Sequence, residues 1–150
     1  MSDEILKARR YAVELLARRE HTCLELTRKL SARGIGEGII HQVLKALATE
    51  GLQSDARCVE SYVRERTQKG YGPLRIREAL RMRGVEGELI NHYIDNGAPE
   101  WDTHSARVRA KRFGSRVPED RRERLRQARF LQYRGFTHDQ IRRLIRIEDV

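Results

Sequence analysis

The feature that most constrains the fold of this chain is a pattern that occurs three times along it. A stretch with helical periodicity ends in arginine, glycine and an apolar residue, and a second amphipathic stretch follows. The three glycines are Gly34, Gly84 and Gly135, which lie 50 and 51 residues apart. Recurrence at this period predicts a repeat protein, in which each unit buries part of its apolar face against its neighbours.

The apolar residues that follow each glycine keep the same register, at the sixth, ninth and tenth positions. They are Ile40, Val43 and Leu44; Ile90, Tyr93 and Ile94; and Ile141, Leu144 and Ile145. Residues at i, i+3 and i+4 share one face of a helix, so the same helical face is encoded three times. The glycines themselves suit left-handed C-caps, where a residue without Cβ carries no steric penalty.

Residues typical of helix starts divide each repeat into three helices. Thr22 with Glu25, and Thr137 with Gln140, have the spacing of capping boxes, and Ser54 suits an N-cap. The predicted helices are 3–19, 22–33, 37–50, 55–68, 73–83, 87–96, 101–113, 118–134 and 137–147.

Composition favours helix over sheet throughout, with only three prolines and nine aromatic residues in 150. Pro73 and Pro118 suit first helical positions, and Gly97-Ala98-Pro99 marks the clearest break. We predict an all-α protein made of three tandem three-helix repeats in an elongated, curved array. The predicted boundaries of the repeats are 1–53, 54–97 and 98–150.

The chain is strongly basic, with 31 lysines and arginines against 22 acidic residues and a net charge of +9. Residues 101–150 hold 14 of the basic and 7 of the acidic residues, so most of the surplus lies in the last third. Most of these cations are arginines, which bind phosphate and carboxylate oxygens in a bidentate manner. The charge predicts a polyanionic partner.

No residue pattern indicates a catalytic, cofactor or metal site, and we predict a protein that is not an enzyme. Cys23 and Cys58 fall at apolar-periodic positions, which predicts buried, reduced thiols. No apolar run could cross a bilayer and no leader is evident, so we expect a cytoplasmic protein without membrane contact. The absence of a heptad seam favours a monomer.

Two surfaces are candidates for binding. In the segment Lys69-Gly70-Tyr71-Gly72-Pro73, the tyrosine is either an exposed anchor for a partner or a side chain packed beneath the turn. In the third repeat, four residues at helical spacing form a basic stripe that ends in an aromatic ring, with no acidic residue expected to neutralise it. The residues of this stripe are Arg122, Arg126, Arg129 and Tyr133.

Three segments of the chain resemble the RecX family, and the resemblance covers nearly its whole length. They are residues 17–21, Gly70 to Leu80, and Arg129 to Phe136, of which the Gly-Tyr-Gly-Pro-x-Arg-Ile run at 70–76 is the most specific. Gln53 and Cys58 depart from the family pattern, which concerns local packing more than function.

The resemblance implies a regulator of the bacterial recombinase RecA, with a role in DNA recombination, DNA repair and the SOS response. Such a protein would lie in the groove of the RecA–DNA filament and inhibit the recombinase, ATPase and coprotease activities, by blocking filament extension or by promoting disassembly. Direct contact with single- or double-stranded DNA is a further expectation. Besides the stripe, we predict a central contact surface made of Arg64, Lys69, Tyr71, Arg75, Arg77 and Arg81.

A helix-turn-helix transcriptional regulator is the main alternative, because a three-helix unit with a basic helix can also enter a major groove. The basic residues are spread over several units, which argues against a single recognition helix. Sequence-selective binding to duplex DNA would favour this alternative. A purely structural scaffold, the second alternative, would have no effect on a recombinase.

Overall fold

The computed structural model describes residues 2–146, and within this range the chain forms nine α-helices and no strand. The prediction of an all-α fold is confirmed. The helices are α1 Asp3–Arg18, α2 Cys23–Ala32, α3 Glu37–Thr49, α4 Asp55–Gln68, α5 Pro73–Met82, α6 Gly87–Tyr93, α7 Pro99–Phe113, α8 Arg121–Arg134 and α9 His138–Ile145.

Three side-chain caps that the sequence predicts are present, at Thr22, Ser54 and Thr137. Thr22 and Thr137 both form complete capping boxes, in which the hydroxyl accepts from the third backbone N–H of the helix. The hydroxyl of Ser54 accepts from the backbone N–H of Arg57 at 3.2 Å. These local hydrogen bonds set the starts of α2, α4 and α9.

The three repeated glycines all have positive φ, which confirms their prediction as left-handed residues at helix ends. In each case the apolar residue after the glycine donates its backbone N–H to a leucine carbonyl five residues earlier. This 6→1 hydrogen bond is the one that closes a Schellman motif. The pairs are Ile35 to Leu30, Val85 to Leu80 and Phe136 to Leu131, at 3.2, 3.1 and 3.1 Å.

The chain divides into two compact units by its internal contacts. Unit 1 comprises the residues up to 61 together with 80–90, and unit 2 comprises 62–79 together with the residues from 91 onward. Helices α4, α5 and α6 each contribute residues to both units. The predicted repeat boundaries are a different division of the chain and remain a prediction.

Unit 1 contains the bundle of α1, α2 and α3, whose helices pack on one another around a continuous apolar core. The buried residues of this core are Ala8, Ala12, Leu15, Leu26, Leu30, Ile40, Val43, Leu44 and Leu47. In unit 2, α7, α8 and α9 pack together in the same way. Its buried apolar residues include Ile94, Trp101, Leu131, Phe136, Ile141 and Ile145.

Three predicted helix boundaries are wrong in unit 2. Helix α7 begins at Pro99, two residues before its predicted start at 101. Pro99 therefore lies in the first turn of a helix and is not part of the break between helices. Helix α8 begins at Arg121 because the side chain of Asp120 caps it, and Pro118 therefore lies outside the helix. Helix α6 ends at Tyr93, three residues early. The last residue of the predicted helix 137–147 lies outside the described residues.

The prediction of two buried thiols is correct for Cys58 and wrong for Cys23. Both cysteines are free, and Cys23 is exposed. Cys23 occupies the first turn of α2, where its backbone N–H bonds to Oδ1 of Asp55 at 2.9 Å, and the core-facing residues of this helix are Leu26 and Leu30. Burial raises the pKa of the Cys58 thiol to about 12, which leaves it protonated and inert.

Candidate functional site

The loop between α4 and α5 is held against the end of α8, within unit 2. Gly72 donates its N–H to the Arg134 carbonyl at 2.7 Å, and Leu74 donates to the Gly135 carbonyl at 2.9 Å. A Cβ on Gly72 would lie 2.6 Å from the carbonyl carbon of Gly135, so only glycine permits this approach. The Gly-Tyr-Gly-Pro run is therefore a backbone junction with the end of α8 and the glycine that follows it.

This junction gathers a cluster of arginines around the ring of Tyr71, which is half-buried. The guanidinium carbons of Arg66, Arg75 and Arg134 lie 5.4, 4.8 and 5.0 Å from the Tyr71 ring centroid. Arg75 also lies 4.6 Å from the Tyr133 ring centroid and donates to the Tyr133 carbonyl at 3.0 Å. We call these five residues the Arg–Tyr cluster.

The cluster borders a depression of about 180 Å³ with arginines and tyrosines in its wall. Its lining residues are Tyr62, Arg66, Tyr71, Arg75, Ile76 and Ala79, none of them acidic. The Nε of Arg66 is buried and has no hydrogen-bond partner in the described part of the chain. Guanidinium groups held by aromatic faces, with no carboxylate in the lining, are suited to binding an anionic group.

The Arg–Tyr cluster contains three of the predicted contact residues, Tyr71, Arg75 and Tyr133. Of the two readings of Tyr71, the packed one describes its ring, which is covered by arginines. Tyr133 is 72% exposed. Arg134 was not predicted because it reaches Tyr71 from a distant segment of the chain. Arg66 lies only five residues before Tyr71, but its position in α4 does not distinguish it from the other arginines of that helix.

The other central residues are placed differently. Arg64 is exposed on α4, and Lys69 is paired with Glu65 at 3.0 Å. Arg81 is also exposed but belongs to unit 1. Arg64 and Lys69 belong to unit 2, and neither is a member of the Arg–Tyr cluster.

Arg77 is occupied within unit 2. Its guanidinium donates to the Asn91 side chain, the Ile94 carbonyl and the Asn96 side chain, at 2.5, 2.9 and 3.3 Å. These bonds secure the chain just beyond α6 and explain why that helix ends before its predicted terminus. Arg77 thus has a structural task that its position in the sequence does not reveal.

The basic stripe of α8 is exposed, as its spacing predicts, but one of its arginines is neutralised. Arg126 forms a bidentate pair with Glu123, at 2.9 and 2.7 Å, which contradicts the expectation that no acid would lie near. The hydrogen bond from Arg126 lowers the pKa of the Glu123 carboxyl to about 2. Arg122 and Arg129 form no ion pair with any residue between 2 and 146.

His104 supports the junction from α7. Its Nε2 donates to the Tyr71 carbonyl at 3.2 Å, and its ring contacts those of Trp101 and Phe136. Burial lowers the pKa of His104 below 6.5, so the ring is neutral near pH 7.

Residues 2–146 show neither a metal-binding cluster nor a membrane-spanning helix. No group of three or more histidine, cysteine or acidic side chains lies close enough to hold a metal ion. No described helix is long and apolar enough to cross a membrane.

Family models and solved structures match nearly the whole chain. Models described as the first, second and third three-helix domains of RecX match residues 8–47, 54–93 and 106–145. The crystal structure of RecX from Lactobacillus salivarius matches with a TM-score of 0.80 and 23% identity, covering 97% of both chains.

Curated relatives give the same result at higher identity. A protein from Halorhodospira halophila named Regulatory protein RecX is 51% identical over 131 residues, covering 87% of this chain and 81% of the relative. A protein of the same name from Ectopseudomonas mendocina is 45% identical and covers 97% of both chains. The three domain matches in order and these identities show that the chain belongs to the RecX family.

Proposed function

We propose that this chain regulates the recombinase RecA by binding in the groove of the RecA–DNA filament. It inhibits the recombinase, ATPase and coprotease activities, by blocking extension of the filament or by promoting its disassembly. Membership of a family whose relatives are named regulatory proteins supports this proposal.

The charge of unit 2 supports a polyanionic partner such as a nucleoprotein filament. Among the described residues, unit 2 contains 19 lysines and arginines and 9 acidic residues, whereas unit 1 contains 12 and 11. A surplus of this size raises the rate of encounter with a polyanion and orients the basic unit toward it.

The Arg–Tyr cluster is the observation that carries the proposal to particular residues. Arg75 is held between two tyrosine rings, one of them largely exposed, before any partner arrives. Pre-organised arginine and tyrosine side chains are the residues that dominate binding energy in protein interfaces. We place the acidic surface or the DNA phosphates of the filament against this cluster and the exposed stripe of α8.

The test is RecA-catalysed ATP hydrolysis on single-stranded DNA, with this protein added below one copy per recombinase after filaments have assembled. We expect hydrolysis to fall, because blocking an end or removing subunits affects many protomers for each molecule bound. Arg75→Gln combined with Tyr133→Ser should raise the concentration needed for half inhibition about tenfold or more.

Arg33→Gln is the matched control, since Arg33 also lies over a tyrosine ring, that of Tyr11 at 4.0 Å, but in unit 1. Its inhibition should equal that of the wild type. Absence of inhibition by the wild type at excess, together with sequence-selective binding to duplex DNA, would replace the proposal with a helix-turn-helix transcriptional regulator.

A further inference from the structure

A second basic surface of unit 2 is a groove formed by α7, α8 and the end of α4. It has a volume of about 530 Å³. Its floor is apolar and is formed by Gly70, Val108 and Phe130. Its rim carries five basic side chains, Lys69, Arg107, Lys111, Arg112 and Arg134, and no acidic residue lines it.

Two of the rim cations are uncommitted within the protein. Arg107 and Lys111 are exposed and lie one turn apart on α7, so that their side chains share a face. Within the range 2–146 neither forms an ion pair or a hydrogen bond. Together they present two adjacent positive charges to the groove.

Two other rim cations are held in place by the floor. The guanidinium carbons of Arg112 and Arg134 lie 5.6 and 5.1 Å from the Phe130 ring centroid. Arg134 also donates to the Lys69 carbonyl at 3.0 Å. Side chains ordered in this way lose little conformational entropy when an anion binds.

Gly70 is one of the residues that line the groove. A Cβ there would lie 3.4 Å from Nη1 of Arg134 and 3.5 Å from a methyl carbon of Val108. It would therefore fill part of the floor. Gly70 has a φ of +91°, so glycine also suits the turn that follows α4.

The aromatic rings of the groove are already engaged, which decides between two anionic occupants. Phe113 meets Phe130 edge-on at 5.3 Å, while two guanidinium groups cover Phe130, and His104 contacts two other rings. Single-stranded nucleic acids bind largely by stacking bases on open aromatic faces. The volume is that of a site for a few side chains. An apolar floor within a cationic rim therefore favours a peptide.

We propose that this groove binds a short acidic segment of a partner protein. Its carboxylates pair with Arg107, Lys111 and Arg112, and an apolar side chain between them packs on Val108 beside Gly70. Arg134 belongs to both the Arg–Tyr cluster and the groove, but the groove and the depression beside the cluster have no lining residue in common. The partner that supplies the acidic segment need not be RecA.

The test is fluorescence polarisation of a fluorescein-labelled octapeptide of alternating glutamate and leucine, titrated with the full chain. We expect saturable binding that weakens as salt is raised, and none to the peptide with glutamine in place of glutamate. Arg107→Glu with Lys111→Glu should weaken binding about tenfold or more, because two attractive charges become repulsive.

Arg116→Glu with Arg121→Glu is the matched control, because it changes the net charge of unit 2 equally and neither residue lines the groove. It should change affinity less than about twofold. An equal loss in both variants, or no binding by the wild type, would overturn the proposal.

A thymidine octanucleotide tests the alternative occupant. If it binds through Arg107 and Lys111 while the peptide does not bind, the groove is a nucleic-acid site and the proposal is wrong. The ATPase assay keeps the two proposals apart: loss of peptide binding with full inhibition of RecA would leave the proposed function standing.

Discussion

At the scale of single residues, the repeated glycines perform two different tasks. Gly34 and Gly135 occupy equivalent positions and both have positive φ, at +80° and +97°. A Cβ on Gly34 would meet nothing within 4 Å, whereas one on Gly135 would lie 2.4 Å from Cβ and 2.5 Å from the backbone nitrogen of Arg75. Gly34 supplies only a left-handed turn, whereas Gly135 also allows the end of α8 to lie against the backbone of Arg75 in α5.

Substituting these glycines separates the two tasks. Gly34→Ala should lower the free energy of unfolding by about 1 kcal/mol through backbone strain alone. Gly135→Ala should lower it by about 3 kcal/mol, because the new methyl group also overlaps the Arg75 backbone. Urea unfolding followed by circular dichroism measures the free energy of unfolding of both variants. Gly38→Ala is the control for replacing glycine with alanine where there is neither a positive φ nor a close neighbour. Equal losses at 34 and 135 would contradict the close approach.

Two histidines link stability to pH. His21 is 1% exposed, donates from Nδ1 to the Arg19 carbonyl at 3.0 Å and accepts at Nε2 from Lys29 at 3.2 Å. Burial lowers its pKa and that of His104 below 6.5. The unfolded chain therefore binds protons more readily than the folded one. The contribution of these two histidines to the free energy of unfolding is fully present above pH 6.5 and is lost as the pH falls through their folded pKa values.

The expected result is a fall in the urea midpoint between about pH 7.5 and about pH 5.5. His21→Gln with His104→Gln should flatten this dependence, since glutamine does not titrate. A slope that is unchanged in the double variant would assign the pH dependence to other groups.

At the scale of elements, the connection between α7 and α8 depends on one buried arginine. Arg109 is 2% exposed, and its guanidinium donates to the carbonyls of Gly114, Ser115 and Arg116 and to the side chain of Gln127. These acceptors belong to the end of α7, the loop and α8. In a pattern of alternating charged residues, Arg109 resembles any solvated arginine, so its burial was not predicted from the sequence.

Arg109→Met should lower the free energy of unfolding by about 2 kcal/mol, because Gln127 and the loop carbonyls lose their donor. Arg107→Met, two residues away on an exposed face of the same helix, should change it by less than about 0.5 kcal/mol. Chemical denaturation of both variants measures the difference. Similar values for the two would show that the loop holds its conformation without Arg109.

Helix starts were predicted well where side-chain caps mark them and poorly where competing signals lie close together. Thr22 and Thr137 cap α2 and α9 through bonds to residues three positions away. For α8, Pro118 is the predicted first helical residue, and Asp120, a residue type that favours N-caps, lies two positions later. The structure uses Asp120, while Nε of Arg124 donates to the carbonyl of Pro118.

At the scale of the whole molecule, the two units differ in charge, because most of the positive surplus lies in unit 2. Residues 101–150 contain most of the surplus of basic over acidic residues. Unit 2 combines this part of the chain with further arginines of α4 and α5. Association with a polyanion through such a surface should depend steeply on salt, because bound counterions are released.

Reversing the charge of the stripe tests its share in this association. Arg122→Glu with Arg129→Glu should weaken inhibition of RecA-catalysed ATP hydrolysis and reduce its dependence on salt between about 50 and about 200 mM. Arg126→Gln should have a smaller effect, since Glu123 already neutralises Arg126. Unchanged inhibition by the first variant, with circular dichroism showing an intact fold, would remove the stripe from the interface.

The sequence by itself determined the all-helical class, the threefold pattern, the caps and the left-handed glycines of this protein. These features depend on interactions within about five residues of the chain, which a sequence displays directly. Only the tertiary structure decided which arginines surround Tyr71, that Arg77 is occupied by the chain beyond α6, and that Cys23 is exposed. Those outcomes depend on packing between segments that are distant in sequence, where the partner of a long charged side chain is set by geometry and not by spacing.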